Sequence, residues 1–136
     1  MNQTLRNLCA FALALLAVTA SAADAADAPS VAPPHVQTRC GWFSNPSPNN
    51  ASLTDRDGEW AIAVQGQFEA SGDWPEFKKS QWISSGNASY GSGCACMRVV
   101  ADIQTHRITA VKSSSVKPLL ACRRDKRLKP LRQNDD

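Results

Sequence analysis

Apolar and polar residues alternate along a central stretch of the chain, as they do in a strand with one buried face. The apolar positions of this stretch, within residues 94–103, are Ala95, Met97, Val99, Ala101 and Ile103. In an extended backbone these side chains share one face, so the pattern predicts a half-buried strand. Turn-forming residues at 102–105 and a second apolar stretch at 106–112 predict that this strand returns as a hairpin.

Two shorter stretches also have strand-like patterns. Residues 60–64 alternate large and small apolar side chains, and residues 81–83 predict the beginning of another short strand. Segments rich in Gly, Pro, Asn and Ser separate the predicted strands at 45–50, 72–75 and 86–93. Beyond residue 22, no window of ten or more residues has a clear helical period. The chain is therefore predicted to be all-β, or a β-rich α+β fold, forming a small disulfide-stabilised barrel or sandwich with at most one short helix, near residues 74–80.

The first 22 residues have the pattern of a signal peptide. Arg6 supplies a positive charge, residues 8–20 form an almost unbroken apolar run, and Ala-Ser-Ala at 20–22 fits a cleavage site. The apolar run is too short to span a bilayer comfortably. We therefore expect a mature protein without a transmembrane segment, located in the periplasm or secreted.

Composition divides the rest of the chain into three parts. Residues 23–38 are rich in Ala and Pro without a hydrophobic period, which predicts a flexible linker. Residues 39–124 contain the strand-like patterns and form the predicted folded domain, whereas residues 125–136 form a predicted polar tail. A domain of this size buries only a modest core, so additional covalent stabilisation is expected.

Length and charge balance exclude two broad classes of protein. With 136 residues the chain is too short for a large multidomain enzyme or a repeat array. Its 15 Lys and Arg against 12 Asp and Glu give a net charge of +3, far from the strong excess expected of a dedicated nucleic-acid binder. A solubilising tail explains the basic residues after Cys122 more simply than a nucleic-acid interface does.

Four cysteines remain after removal of a signal peptide that contains Cys9: Cys40, Cys94, Cys96 and Cys122. In a short exported domain this number is typical of a scaffold with two disulfides. A bond between Cys94 and Cys96 would close a very small, strained ring, so each of the two is expected to join a distant partner, Cys40 or Cys122. The spacing leaves open which cysteine pairs with which.

Two other uses of Cys94 and Cys96 compete with structural disulfides. The two thiols could form a redox-active pair, and together with Met97 and His106 they offer soft ligands for Cu(I). On a strand, Met97 points away from the face that carries the two cysteines, which disfavours the metal site. The sequence therefore predicts no metal and no cofactor, with thiol–disulfide redox chemistry as the alternative.

Aromatic and acidic side chains supply the remaining candidate site residues. Trp42 and Trp74 lie beside predicted turns and are expected to stay partly exposed, where they suit a protein hot spot or a stacked sugar. The alternative places all four tryptophans in the core. Asp57 and Glu59 belong to an Asp-x-Asp-Gly turn that lacks the rest of a calcium loop. They and Tyr90 are candidate binding residues, and no catalytic residue is predicted.

Five short motifs are spread over residues 39–124. In order they are RCGWF at 39–43, DRDGEW at 55–60, GDWP at 72–75, YGSGCACM at 90–97 and PLLACR at 118–123. Together they resemble a small family of exported bacterial proteins of unknown function. The resemblance implies a bacterial envelope location and a cysteine-stabilised domain, and it implies no activity and no catalytic residue.

These observations favour a non-catalytic binding module, such as an inhibitor or immunity-type partner of an envelope protein. A glycan-binding domain that uses Trp42 and Trp74 is one alternative, with a cell-wall glycan as its partner. A thiol–disulfide redox protein that uses Cys94 and Cys96 is another, and a hydrolase with Asp57 and Glu59 as its acid and base is a third.

Overall fold

A computed structural model describes residues 35–131, apart from the side chains of residues 87 and 88. Its strands are β1 (Val36–Ser47), β2 (Asn50–Asp55), β3 (Gly58–Val64), β4 (Phe68–Glu69), β5 (Trp82–Ser85), β6 (Asn87–Asp102) and β7 (Arg107–Lys117). A 3₁₀ helix at Lys79–Gln81 and the α-helix α1 at Leu119–Arg124 accompany them. The expected signal peptide lies outside the described residues, and no helix within residues 35–131 is long and apolar enough to cross a membrane.

Five of the strands close into a barrel, which confirms the predicted small all-β fold. β1, β2 and β3 form an antiparallel meander, and β6 pairs antiparallel with both β1 and β7. β7 runs parallel to β3, where the Ala61 amide donates to the His106 carbonyl oxygen over 2.9 Å and completes the ring. The order β1-β2-β3-β7-β6, returning to β1, is the connectivity of the OB-type Greek-key barrel.

Every second side chain along the strands points inward, and these side chains fill the barrel. The large buried residues of this inner core are Phe43, Leu53, Trp60, Ile62, Met97, Val99 and Ile108. The strand predicted at 94–103 is thus confirmed for most of its length. Ile103 is the exception, because β6 ends at Asp102 and Ile103 lies in the following turn with 67% of its surface exposed. The prediction that Ile103 shares the buried face is therefore wrong.

A second apolar cluster packs around Trp42, which points to the opposite side of β1 from its neighbour Phe43. Trp42 contacts Cys94, Cys122 of α1 and Leu128. Leu128 is buried although it belongs to the segment predicted as a polar tail. At the other end, β1 begins at Val36, within the segment predicted as a linker.

The α-helix lies elsewhere than the sequence pattern suggested. Around residues 74–80 the chain forms only the three-residue 3₁₀ turn at Lys79–Gln81. The α-helix α1 instead follows Pro118, a residue that suits the beginning of a helix because it has no backbone N–H to leave unpaired there. The prediction of at most one short helix is confirmed, and its position is corrected.

Two disulfides join the strands and α1. Cys40 bonds to Cys96 across β1 and β6, and Cys94 bonds to Cys122 on α1. This confirms that Cys94 and Cys96 each join a distant partner. Strand register decides the pairing that spacing left open, because Cys40 lies directly opposite Cys96 with their Cα atoms 4.0 Å apart.

Candidate ligand-binding site

Four aromatic side chains border a cavity of about 490 Å³, which we call the aromatic cavity. The rings are those of Phe43, Trp74, Phe77 and Trp82. Polar side chains complete much of the lining: Asn45, Lys79, Ser84 and Ser89. The volume lies within the range that small-molecule sites occupy.

The four rings contact one another and so hold the wall of the aromatic cavity in a defined shape. The ring centroid of Phe43, which is 3% exposed, lies 5.9 Å from that of Trp74 and 5.6 Å from that of Phe77. Phe77 in turn lies 5.0 Å from Trp82. Such contacts contribute beyond simple burial, because aromatic rings prefer tilted and edge-on arrangements. Trp74, Phe77 and Trp82 remain half-buried, so part of each ring is available to an occupant.

Two glycines of β6 make room for this aromatic wall. A Cβ atom at Gly93 would overlap the ring of Phe77, and one at Gly91 would approach Nε1 of Trp82 to 2.8 Å. The segment 86–93 was expected to separate two predicted strands, and residues 87–93 are in fact the first part of β6. Its glycines therefore serve close packing of aromatic rings on a strand.

Two buried polar atoms that belong to lining residues of the aromatic cavity have no hydrogen-bond partner. They are the indole Nε1 of Trp74 and the side-chain Oδ1 of Asn45. A buried polar group without a partner costs about 1–3 kcal/mol, and native proteins contain few of them. The polar side chains of Asn45 and Lys79 beside the aromatic rings favour an occupant that is itself partly polar.

A separate group of side chains, the Arg39 cluster, lies around the turn between β2 and β3. The Arg39 guanidinium is buried and donates through Nη1 to Asp55 Oδ2 at 2.6 Å and to Asp57 Oδ2 at 3.2 Å. Its Nη2 donates to Gln37 Oε1 at 2.7 Å. The Arg39 Cζ atom also lies 3.5 Å from the ring centroid of Trp60, a cation–π distance.

Asp55 is held from several sides within the Arg39 cluster. Its Oδ1 accepts hydrogen bonds from the Trp60 indole at 3.1 Å and from the Asp57 backbone amide at 2.8 Å. His106, from the turn before β7, stacks on the Trp60 ring with centroids 4.6 Å apart. Most of these groups satisfy one another, although the buried Nε of Arg39 has no hydrogen-bond partner, so the Arg39 cluster is mainly a structural network that closes this part of the barrel.

A second cavity, of about 400 Å³, lies beside the Arg39 cluster. Its charged lining residues pair with one another: Arg39 with Asp55, and Arg127 with Asp125 at 2.9 Å. The hydrogen bond from Arg127 lowers the pKa of the Asp125 carboxyl below its ordinary value. Charges that are already paired leave less to offer a ligand, so the aromatic cavity is the better candidate site.

The predicted site residues fall in different parts of the molecule. Trp74 is half-buried and lines the aromatic cavity, which agrees with the prediction that it stays partly exposed. Trp42 is 3% exposed beneath α1, so the prediction that it stays partly exposed is wrong. Asp57 and Glu59 are exposed near the β2–β3 turn, and Tyr90 is half-buried. None of these last three lines the aromatic cavity.

Three of the aromatic residues and Asn45 were missed by the sequence analysis. Phe43 and Asn45 stand close to Trp42 in sequence, but the alternation of β1 directs Phe43 to the opposite side from Trp42. Phe77 and Trp82 flank the turn at Lys79–Gln81, and neither was selected as a candidate binding residue. The spacing of aromatic residues around the GDWP turn was the available signal for this site.

Fold and site together define a small all-β, disulfide-stabilised protein with an aromatic ligand-sized cavity. Residues 34–129 match the family described as a protein of unknown function, DUF4087, and the chain belongs to this family. Neither a curated protein nor a solved structure matches the chain significantly. Among residues 35–131, no three His, Cys, Asp or Glu side chains lie so that they could hold a metal ion.

Proposed function

We propose that this protein is an exported, non-catalytic binding module and that the aromatic cavity is its recognition site. One observation carries the proposal. Four aromatic rings border a cavity of small-ligand size, and the polar side chains of Asn45 and Lys79 lie beside them. Apolar walls with a small number of placed polar groups are typical of binding sites.

The lining of the aromatic cavity supports binding rather than catalysis. None of its described lining residues is a His, Asp, Glu or Cys, the side chains that most often transfer protons or activate a nucleophile. The carboxylates considered for a hydrolase do not meet there, because Asp57 pairs with Arg39 and Arg56 at the β2–β3 turn. Cys94 and Cys96, considered for redox chemistry, are each bonded to a different distant cysteine.

The two disulfides support the proposal that the protein is exported. Structural disulfides persist in the periplasm and outside the cell, where thiols are not kept reduced. The signal-peptide pattern of residues 1–22 points to the same compartments. We therefore place the protein in the bacterial periplasm or among secreted proteins, with an envelope component as its partner.

The partner is proposed to insert a projecting group into the aromatic cavity. In an inhibitor or immunity-type complex the partner is an envelope protein, and the aromatic wall acts as the hot spot. In the glycan-binding alternative the partner is a cell-wall glycan, whose sugar rings stack on the same wall. The site for either is Trp74 with Phe43, Phe77 and Trp82, and it does not include Trp42, which is buried elsewhere.

Capture from an envelope extract tests the proposed function. The immobilised mature protein is compared with Trp74→Ala, which removes one ring of the wall, and with Ile103→Ser, an exposed residue of a distant turn. We expect the wild type and Ile103→Ser to retain the same component and Trp74→Ala to retain at most about a tenth of it, because the lost ring removes much of the contact area.

Near-ultraviolet circular dichroism of each variant checks that the fold is intact before capture. Equal retention by a folded Trp74→Ala variant would show that binding takes place elsewhere. Retention of nothing by any of the three proteins would contradict the binding function itself.

A further inference from the structure

We propose that the segment around α1 binds the surface of an anionic phospholipid membrane. Its exposed side chains form what we call the basic surface: Leu120, Arg123, Arg124, Lys126 and Lys129. This inference goes beyond the proposed binding function, because the basic surface and the aromatic cavity share no residue. Three features carry it: cations without counter-charges, a backbone that is held in place, and an apolar side chain among the cations.

The cations of the basic surface have no counter-charge among the described residues. Asp125 is the only acidic residue between Asp102 and Asp135 in the sequence, and it is already paired with Arg127 at 2.9 Å. The four cations themselves form no ion pair within residues 35–131. Exposed positive charges that are concentrated between positions 123 and 129 therefore attract an anionic surface.

The backbone that carries these cations is held on the domain. Cys122, which is 4% exposed, is bonded to Cys94 on β6. Leu128, which is 9% exposed, packs in the cluster around Trp42, and its amide donates to the Asp125 carbonyl oxygen over 3.0 Å. A tail that only adds solubility needs no such anchors. Cations on a held backbone also lose less conformational entropy on binding than those of a free tail.

Leu120 favours a lipid surface over a polyanion in solution. It is a large apolar residue with 48% of its surface exposed. Residues three and four positions apart are neighbours on a helix, so Leu120 lies beside Arg123 and Arg124 on α1. In a membrane interface such cations meet phosphate groups while the apolar side chain enters the acyl boundary. A polymer in solution offers no apolar layer to this leucine.

A membrane at the basic surface leaves the aromatic cavity free to take its partner. α1 packs over Trp42, whereas Phe43, which lines the cavity, points to the opposite side of β1. The two interactions are therefore compatible, and the protein held at a membrane still presents its recognition site.

Sedimentation of the purified mature protein with lipid vesicles tests the proposal. The vesicles contain phosphatidylcholine alone, or phosphatidylcholine with about 30% of the anionic lipid phosphatidylglycerol. Over the millimolar range of lipid, we expect partitioning onto the anionic vesicles to be at least about ten-fold stronger, because the cations gain attraction only there. Raising the salt from about 0.1 M to about 0.5 M should remove most of this difference, since salt screens exposed charges.

Three variants connect the partitioning to named side chains. Arg123→Gln with Arg124→Gln should weaken partitioning onto anionic vesicles by about ten-fold. Leu120→Ser should weaken it by about three-fold or more, because no apolar side chain then enters the acyl boundary. The matched control, Lys78→Gln with Lys112→Gln, removes as many exposed cations from other elements and should stay within about two-fold of the wild type. Near-ultraviolet circular dichroism checks that each variant is folded.

Three outcomes overturn the proposal. Equal partitioning onto the two kinds of vesicle shows no preference for anionic lipid, and equal weakening by the control pair shows that net charge alone is responsible. Unchanged partitioning of Leu120→Ser shows a site for polyanions in general and not for a lipid surface. Capture through the aromatic cavity is measured separately with Trp74→Ala, so the failure of one proposal is distinguished from the failure of the other.

Discussion

Arg39 and Asp55 form the most buried ion pair among the described residues. Their side chains are 8% and 4% exposed, and their Nη1 and Oδ2 atoms lie 2.6 Å apart. A buried charge is costly unless a partner and hydrogen bonds compensate for it. Here Trp60 supplies both an N–H to Asp55 and a ring face to Arg39, so one aromatic residue supports both charges.

Removing the negative charge at Asp55 should therefore be strongly destabilising. We expect Asp55→Asn to lower the free energy of unfolding by about 3 kcal/mol, because it leaves the buried Arg39 guanidinium without its closest counter-charge. Urea denaturation measures the change. Asp57→Asn is the matched control, because the Asp57 side chain is 53% exposed and an exposed pair contributes about 1 kcal/mol or less. Equal losses in the two variants would contradict this assignment.

The sequence around Asp55 predicted the turn in which this residue lies but not its ion pair with Arg39. The Asp-x-Asp-Gly turn was recognised, but Asp57 was selected as the candidate residue and Asp55 was not. Asp55 is the last residue of β2 and lies opposite Gly58, so its direction depends on the register of the β2–β3 hairpin. Its partner Arg39 is distant in sequence, on β1. The Arg39–Asp55 ion pair depends on how β1, β2 and β3 pair with one another, so the sequence around either residue does not reveal it.

At the scale of elements, the β6–β7 hairpin is the part of the fold that local sequence predicts best. Alternating apolar residues define both strands, and Asp102 organises the turn between them. The Asp102 carboxylate accepts hydrogen bonds from the Thr105 hydroxyl at 2.7 Å, the Gln104 amide at 2.9 Å and the Thr105 amide at 3.3 Å. All the information for the centre of this hairpin lies within one continuous segment, so the sequence predicted that part, whereas residues 87–93 of β6, residues 113–117 of β7 and the exposure of Ile103 were not predicted.

These hydrogen bonds give the turn a dependence on pH. The bond from the Thr105 hydroxyl, then those from the two amides, lower the pKa of Asp102 below its ordinary value of 3.8. Because the pKa is lowered in the folded protein, its stabilisation is present above pH 3.8 and is lost as the pH falls through the lowered pKa. Asp102→Asn should therefore lower the free energy of unfolding more at pH 7 than at pH 2.5.

Urea denaturation of the wild type and Asp102→Asn at the two pH values measures this difference. Asp73→Asn, which removes an exposed carboxylate outside this turn, is the control for the loss of a surface charge. An equal loss for Asp102→Asn at pH 7 and pH 2.5 would show that the Asp102 charge does not stabilise the turn.

At the scale of the whole molecule, the two disulfides constrain different parts of the fold. The Cys40–Cys96 bond links residues 56 positions apart and fastens β1 to β6. The Cys94–Cys122 bond spans 28 positions and fastens α1 over Trp42. In the chain-entropy description, each loop constrains the unfolded chain by about 4 kcal/mol, a large share of the stability of a small domain.

Variants that lack both cysteines of one disulfide should distinguish the effects of the two bonds. Cys40→Ser with Cys96→Ser, and Cys94→Ser with Cys122→Ser, should each lower the free energy of unfolding by about 2–4 kcal/mol. Only the second pair should also expose Trp42, because α1 is then no longer bonded to β6. Urea denaturation together with the wavelength of tryptophan emission in the folded state distinguishes the two pairs. A red-shifted emission in both pairs, or in neither, would contradict this division.

The aromatic cavity shows why the site was harder to predict than the fold. Its rings come from β1, from the segment between β4 and β5, and from β5. Phe43 and Trp82 meet because β6 pairs with β1 on one side and with β5 on the other, which places both residues opposite Gly93. Sequence patterns predict strands with one buried face, and they do not specify which faces meet.

The central claim is that the aromatic cavity is the recognition site of this protein. The four indole N–H signals in a ¹H–¹⁵N spectrum test it directly, because Trp74 and Trp82 line the cavity whereas Trp42 and Trp60 are buried elsewhere. On addition of the envelope component that the immobilised protein retains, the Trp74 signal should move most, the Trp82 signal should move with it, and the Trp42 and Trp60 signals should stay in place. Larger shifts at Trp42 or Trp60, or no shift at Trp74 at saturation, would contradict the claim.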